Sequence, residues 1–396
     1  MAKALSVRLK GEEVGILRLV KGKMEFTYNP NAKHPLSMSL PIQQEPHKEK
    51  LCRAFFGGLL PENPNMRDLL AKKYKININD DFKLLEAIGR DCAGAISFHP
   101  IEEKITGESF YELQGTILSD KQLKQYIEEL PYKPYLGNRL SLAGAQEKTA
   151  VCLINGKIAL PIDDSPTTHI LKTSLPKYIQ TIQNEYICMK AAKEIGIETA
   201  NVEIRNVDGL EFLLVERFDR CTVQKNDKLV IERLLQEDFA QALGVQSRDK
   251  YNVTFKDCVK VLNYTSSPAI AKSEFVKRVI FNYLIGNTDA HSKNFSIYWK
   301  TEDNICLTPA YDILCSTIYD CDQRIAMKIG KAKFYTDVTD KDWEIFAKEL
   351  DVSYKFVNSE LIRQKKLLPN IVEKTSNTLD CEVGKLILNE VKEKCL

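Results

Sequence analysis

The sequence predicts an α+β chain built from a small α+β unit, a β-rich lobe and a mostly helical lobe, in that order. Three observations carry this. Apolar residues alternate over the first thirty positions; short strand patterns separated by turn residues recur between 149 and 216 around a single helix; and a 3.6-residue period dominates from Glu237 onward. At 396 residues the chain is long for one domain, since domains commonly hold about 100–200 residues. The expected units span 1–105, 106–235 and 236–396.

In the first unit, Leu5, Val7 and Leu9, then Val14, Ile16 and Leu17, then Met24, Phe26 and Tyr28 alternate between Gly11, Gly15 and Gly22, which predicts an antiparallel meander. Helical patterns follow near Cys52 to Leu60, Asn65 to Tyr74 and Phe82 to Ile88. The charged stretch Glu102 to Pro134 reads as a connector with one helix, Lys121 to Leu130. A small-residue turn, Ser141 to Lys148, leads into a strand at Thr149 to Ile154, and Asn155-Gly156 is a strong hairpin signal returning through Lys157 to Pro161. His169 to Lys172 is extended, Asn184 to Ile195 is helical with Gly196 closing it, and strands at Asn201 to Arg205 and Phe212 to Glu216 flank Asp208-Gly209.

Composition excludes several function classes. Lys plus Arg number 56 against 54 Asp plus Glu, a formal charge of +2, so the chain does not bind nucleic acid through its overall charge. A hydrophobic fraction of 44% argues against general disorder. Eleven cysteines are scattered without a C-x-x-C pair, and Cys306, Cys315 and Cys321 lack the spacing of paired zinc ligands, so free thiols are expected. Charges interrupt the apolar residues of the first ten positions, which predicts neither a signal peptide nor a membrane span and points to a reducing cytoplasm.

The chemistry concentrates after a helix with apolar Phe275, Val276, Val279, Ile280, Tyr283 and Leu284. A polar loop, Gly286 to Asn294, runs into the strand Phe295 to Trp299; a turn at Thr301 to Asn304 leads through Ile305-Cys306-Leu307 to Tyr311-Asp312. Phosphoryl transfer needs a carboxylate to accept a hydroxyl proton and oxygen ligands to hold Mg²⁺ against the phosphates; in kinases the two parts follow as D-x-x-x-x-N and a later Asp. Asp289 and Asn294 have that spacing, and Asp312 follows one hairpin later. Asp289 is the expected base, with Asn294 and Asp312 as Mg²⁺ ligands. The competing reading, Asp289 as a turn cap, explains neither the preceding buried helix nor the second Asp. Two departures separate this pattern from an ordinary protein kinase: His291 follows Asp289 instead of preceding it, and Asp312-Ile313-Leu314 stands in place of D-F-G.

Upstream, Ala143-Gly144-Ala145-Gln146-Glu147-Lys148 sets small residues where backbone N–H groups must approach phosphates. Lys172 at the end of a strand and Glu185 in the next helix suit the strand-Lys and helix-Glu pair of a kinase cleft. The apolar strand ending at Glu216, Arg217 and Phe218 offers backbone to an adenine edge and a ring to its face.

With these residues assembled, the chain resembles HipA-type bacterial toxin kinases along nearly its whole length. The shared stretches are Pro35 to Pro41, Gly57-Gly58-Leu59-Leu60-Pro61-Glu62, Ile88 to Ala95, Ser141 to Thr149, Thr167 to Lys172, Asn184-Glu185-Tyr186, Val215 to Arg220, Gln236-Glu237-Asp238, Ile285 to Phe295 and Leu307 to Asp312. The resemblance implies a two-lobed kinase-like core, a β-rich N-lobe and a mostly helical C-lobe, with a small α+β N-terminal domain that contacts core and antitoxin. It implies an ATP- and Mg²⁺-dependent serine/threonine kinase whose target in the best-known members is glutamyl-tRNA synthetase, with translation and growth arrested. ATP would be held by Ala143 to Lys148, Lys172, Glu216 to Phe218, His291, Lys293, Asn294, Tyr311 and Asp312. Autophosphorylation would fall on Ser141, just before the phosphate loop, and a dianion there could pull the loop from its ATP-binding shape. The implied partner is a HipB-like helix-turn-helix antitoxin, through which DNA is contacted indirectly. A corepressor that acts mainly by binding the antitoxin on DNA, and a small-molecule phosphotransferase, are the alternative classes; intact Asp289, Asn294 and Asp312 favour the kinase, and the matched N-terminal unit argues against the small-molecule enzyme.

Overall fold

The computed structural model describes residues 3–104, 110–130, 148–162, 165–225, 228–379 and 381–396. The expected phosphate loop, Ala143 to Glu147, and Ser141 lie outside the described residues. The predicted meander is a four-stranded antiparallel sheet in the order Lys23–Tyr28, Glu12–Val20, Lys3–Leu9, Ile96–Pro100. Leu5, Val7, Leu17, Met24 and Phe26 fill its inner face, as a two-residue period requires. Three helices follow, Glu49–Phe55, Pro64–Tyr74 and Asp81–Ile88. Asn63 caps the second by accepting from the N–H groups of Asn65 and Met66, and Asp80 caps the third through Lys83.

The β-rich lobe is a six-stranded antiparallel sheet ordered Val202–Val207, Leu210–Glu216, His169–Lys172, Lys148–Ile154, Lys157–Pro161, Gly115–Ile117. Asn155 and Gly156 take φ of 52° and 75°, the paired positive angles that a two-residue hairpin turn needs. The helix Thr181–Glu194 covers the sheet; Gly196 follows it at φ 98°.

The expected connector is more than a connector. It supplies the strands Phe110–Glu112 and Gly115–Ile117 and the helix Asp120–Glu129, whose start is set by a Ser119–Gln122 capping box. That helix lays Leu123, Tyr126 and Ile127 on a small core with Val151, Ile158, Leu171, Phe212 and Leu214. Strands of three residues carry too little alternation to be read locally; pairing with Lys157–Pro161 and Lys228–Arg233 makes them. The hairpin Arg220–Lys225 with Lys228–Arg233 was likewise hidden, because Leu229, Val230 and Ile231 run together without the two-residue alternation that marks a strand.

The third unit is mainly helical, with Phe255–Tyr264, Pro268–Ile285, Asp340–Glu349, Tyr354–Asn377 and Glu382–Cys395. A continuous apolar core joins it to the N-terminal unit, from Phe26, Phe56 and Phe98 to Phe239, Phe275 and Phe281. No helix among the described residues is long and apolar enough to cross a membrane.

Candidate active site

The site grows from the central strand of the β-rich lobe. Lys172 ends that strand, pairs across the ladder with Lys148, and is nearly buried. Its Nζ lies 2.6 Å from Glu185 Oε1 and 2.6 Å from Asp312 Oδ1, so one ammonium joins the sheet, the covering helix and the helical lobe. Burial alone would disfavour the Lys172 charge, but Asp312 and Glu185 together hold its pKa above the usual lysine range. Asp312 resists burial in the opposite sense: Lys172 and Lys148 keep it well below the usual carboxylate range. Glu185, more deeply enclosed, is raised by burial. Burial likewise lowers the Lys148 pKa, with Asp312 opposing. Asp312 takes φ 57°, a left-handed conformation uncommon outside glycine, while the adjoining segment is fixed by backbone bonds between Ala310 and both Glu198 and Ala200.

The loop from Gly286 to Asn294 is held on several sides. Gly286 closes the long helix at φ 82°, with Thr317 packed where a Cβ would stand. Ser316 Oγ accepts from the Thr288 N–H at 2.7 Å, and Tyr335 donates to the Asn287 carbonyl at 2.6 Å. Asp289 opens onto the cleft and accepts from Tyr251 Oη at 2.8 Å through Oδ1. Enclosure by the cleft walls raises its pKa, which suits a proton acceptor. Asn294 Nδ2 donates to the Asp289 carbonyl at 3.0 Å, which braces the loop across its D-x-x-x-x-N span. His291 is buried, and its Nδ1 has no hydrogen-bond partner; burial and Lys250 push its pKa down to about 3, so the ring is neutral at pH 7.

These groups line one cavity of about 1280 Å³, together with Ile170, Ala200 and Val215, which form an apolar patch beside the 216–218 segment. That volume exceeds the 300–1,000 Å³ or so of a typical small-molecule site and leaves room for a second reactant. Phe218 packs against Tyr311 at 5.4 Å, and Tyr311 donates to the Lys293 carbonyl at 2.8 Å. The N–H groups of Glu216 and Arg217 are already bonded to the carbonyls of Asn201 and Thr168, so neither is free for an adenine edge. Arg217 and Lys293 also line this cavity, with their charges paired. The Arg217 guanidinium is buried against Asp91 and Asp219, and Lys293 Nζ is held by Asp238 Oδ2 at 2.7 Å and the Gly58 carbonyl at 3.1 Å.

The structure thus brings Lys148, Lys172, Glu185, Glu216, Arg217, Phe218, Asp289, His291, Lys293, Asn294, Tyr311 and Asp312 to one cleft. Sequence reasoning missed Lys250 and Tyr251, which stand on a short 3₁₀ segment, Ser247–Asn252, without any periodic or motif signal. Glu62 and Asp238 lay inside shared stretches but had no assigned role.

A β-rich lobe over a helical lobe, with a strand lysine and helix glutamate paired at the cleft between them, is the kinase-like fold. The chain belongs to the HipA family: residues 140–379 match the HipA-like C-terminal domain and residues 5–99 the HipA N-terminal domain. It is 38% identical over 356 residues to a Sinorhizobium fredii protein named "Putative kinase Y4mE", covering 87% of this chain and 82% of that one. It is 31% identical over 315 residues, 74% and 70% of the two chains, to the serine/threonine-protein kinase toxin HipA of Shewanella oneidensis. The solved Shewanella oneidensis complex of HipA, HipB and operator DNA aligns with a TM-score of 0.85 at 26% identity, covering 99% of this chain and 96% of that one.

Proposed function

We propose that this protein transfers the γ-phosphoryl group of ATP to a serine or threonine hydroxyl of a protein. The observation that carries the reading is the placement of Lys172 between Glu185 and Asp312, facing the same cavity as Asp289. Asp289 takes the proton of the attacking hydroxyl; a new bond forms from that oxygen to the γ-phosphorus, the bond from phosphorus to the β,γ-bridging oxygen breaks, and ADP leaves with the electron pair. Lys148 and Lys172 supply positive charge to the phosphates, and Ile170, Ala200, Val215 and Phe218 supply an apolar bed for the base.

The Asp312 carboxylate and the Asn294 amide oxygen are hard oxygen donors, which fits Mg²⁺, an ion commonly held by one or two protein ligands with waters and phosphates completing its shell. Bound there, Mg²⁺ would neutralise phosphate charge. Among the described residues no cluster of three or more His, Cys, Asp or Glu stands ready for a tighter metal site.

By family resemblance the target is an aminoacyl-tRNA synthetase, glutamyl in the first instance, the outcome is arrest of translation in the cytoplasm, and Ser141 receives an inactivating autophosphate. The named Shewanella oneidensis complex supports a HipB-like antitoxin as partner, with DNA reached through it; it also supports a corepressor role beside the kinase. The test is incubation of the purified chain with Mg²⁺ and labelled ATP, followed by phosphosite mapping and by phosphoproteomics after induction. Label at Ser141 and on a synthetase, lost in Asp289→Asn, sustains the reading; ATP binding without any transfer leaves the corepressor.

A further inference from the structure

We propose that Glu62, which belongs to the N-terminal unit, is a positioning residue of the transfer site, holding the two lysines that carry Tyr251 and the Asp289 loop. The inference deepens the kinase reading and rests on it for its catalytic consequence. Glu62 Oε2 lies 2.8 Å from Lys250 Nζ and Oε1 lies 3.6 Å from Lys293 Nζ. Oε1 accepts no hydrogen bond, so its hold on Lys293 is electrostatic. Side-chain exposures of 16%, 12% and 5% for Glu62, Lys250 and Lys293 put these charges out of reach of strong solvent screening.

Both lysines act on the acceptor aspartate. Lys250 precedes Tyr251, the donor to Asp289, and its carbonyl accepts from Ser292 Oγ at 2.8 Å, tying the 3₁₀ segment to the loop. Lys293 sits inside the loop, between Asp289 and Asn294. Glu62 itself is well anchored. It follows the turn Gly57–Leu59, where Gly58 meets the Gln241 side chain so closely that an added Cβ would stand 2.9 Å from Gln241 Cγ. Gln241 in turn donates to the Phe55 carbonyl at 2.8 Å. The N-terminal unit thereby reaches the reacting centre through one carboxylate. Without that charge the Lys250 ammonium keeps the Tyr251 ring, 5.3 Å away, and its attraction to Asp289, and an ion pair with Asp289 would hold the base ionised and displaced from the hydroxyl.

The test compares the full chain with Glu62→Gln and Glu62→Asp, titrating ATP and following amide exchange by mass spectrometry. In Glu62→Gln, kcat for phosphate transfer is expected to fall about 10- to 100-fold while KM for ATP stays within about twofold, as displacement of a catalytic group requires. Glu62→Asp is expected to recover most of the loss, and amides in 247–254 and 287–295 are expected to exchange faster in Glu62→Gln while those in 3–28 do not. A wild-type kcat with unchanged exchange in Glu62→Gln overturns the proposal, as does a loss shared by KM for ATP or one that aspartate fails to recover. If the unmodified chain transfers no phosphate, the kinase reading falls, and the exchange pattern still decides whether Glu62 holds the loop.

Discussion

Asp91 and Asp289 are both enclosed carboxylates, and their surroundings are opposites. Asp91 accepts from the Thr167 N–H and hydroxyl, is paired with Arg217, Arg220 and Arg233, and stands at the junction of the N-terminal unit with the β-rich lobe. Burial works against its charge, but the three guanidiniums keep its pKa well below the carboxylate range. Asp289 has one side-chain hydrogen bond, from Tyr251, and its pKa is raised by enclosure. A saturated carboxylate has no capacity left for a substrate proton. One with a single donor and a raised pKa has that capacity, so the first cluster is built for structure and the second fits the proton acceptor proposed for it.

The sharpest way to break this contrast is to neutralise each aspartate in turn. Asp289→Asn is expected to reduce phosphate transfer on the order of 10³-fold, with the melting temperature little changed, because a general base is lost and no packing is disturbed. Single-turnover phosphorylation of a peptide or of Ser141 reads the rate. Asp91→Ala is expected to do the reverse, destabilising by about 3–5 kcal/mol in denaturant unfolding, since it removes a buried carboxylate shared by three arginines, of which Arg217 and Arg220 keep only Asp219 as a counter-charge. Unaltered stability in Asp91→Ala would mean that the cluster is dispensable and the comparison mistaken.

Tyr251→Phe sharpens the Asp289 side. The hydroxyl stabilises the ionised carboxylate, so its loss is expected to raise the Asp289 pKa further and move the acid limb of the rate profile to higher pH. Hydrogen bonds to charged groups contribute about 1.5–3 kcal/mol, so the accompanying loss of rate at neutral pH is expected to be about 10- to 100-fold. A pH profile that does not move would assign Tyr251 to packing alone.

Much of this contrast was legible before any coordinates. Alternation and helical periodicity located the meander, the central strands and the long helix ahead of Gly286, because those elements each bury one face. Asp289, Asn294, Asp312 and the pair Lys172 with Glu185 were legible because their chemistry demands fixed spacings. The rest depended on contacts distant in sequence. No local pattern shows that Arg217, in the segment expected to hold ATP, pairs its guanidinium with Asp91, 126 positions away, or that Lys293, also expected to hold ATP, is paired with Asp238 and the Gly58 carbonyl. Charge pairing across such separations leaves no local period, and the 3₁₀ segment carrying Lys250 and Tyr251 leaves none either.

Glu237 offers the effect confined to one pH window and tests whether hydrogen bonds, without a cation, are enough to make a carboxylate structural. It is fully buried, accepts from the Met38 N–H at 2.9 Å and from Ser37 Oγ at 2.5 Å, and links the N-terminal unit to the strand Gln236–Asp238. Burial raises its pKa to about 8, from an unfolded value near 4.5. The folded state therefore binds a proton that the unfolded state releases between those values, and stability falls as pH rises through that window, by up to about 1.4 kcal/mol per pH unit for one proton. Above pH 8 both states are ionised and this dependence ends. Glu237→Gln reproduces the protonated form, keeping an acceptor for Met38 and a donor for Ser37, whose hydroxyl can turn to Ser39 at 2.9 Å. Denaturant unfolding from pH 5 to pH 8 is expected to show a shallower slope for Glu237→Gln and a variant more stable than the unmodified chain at the upper end. Parallel curves would place the Glu237 proton outside the folding equilibrium, in contrast with the cation-paired charge at Asp91.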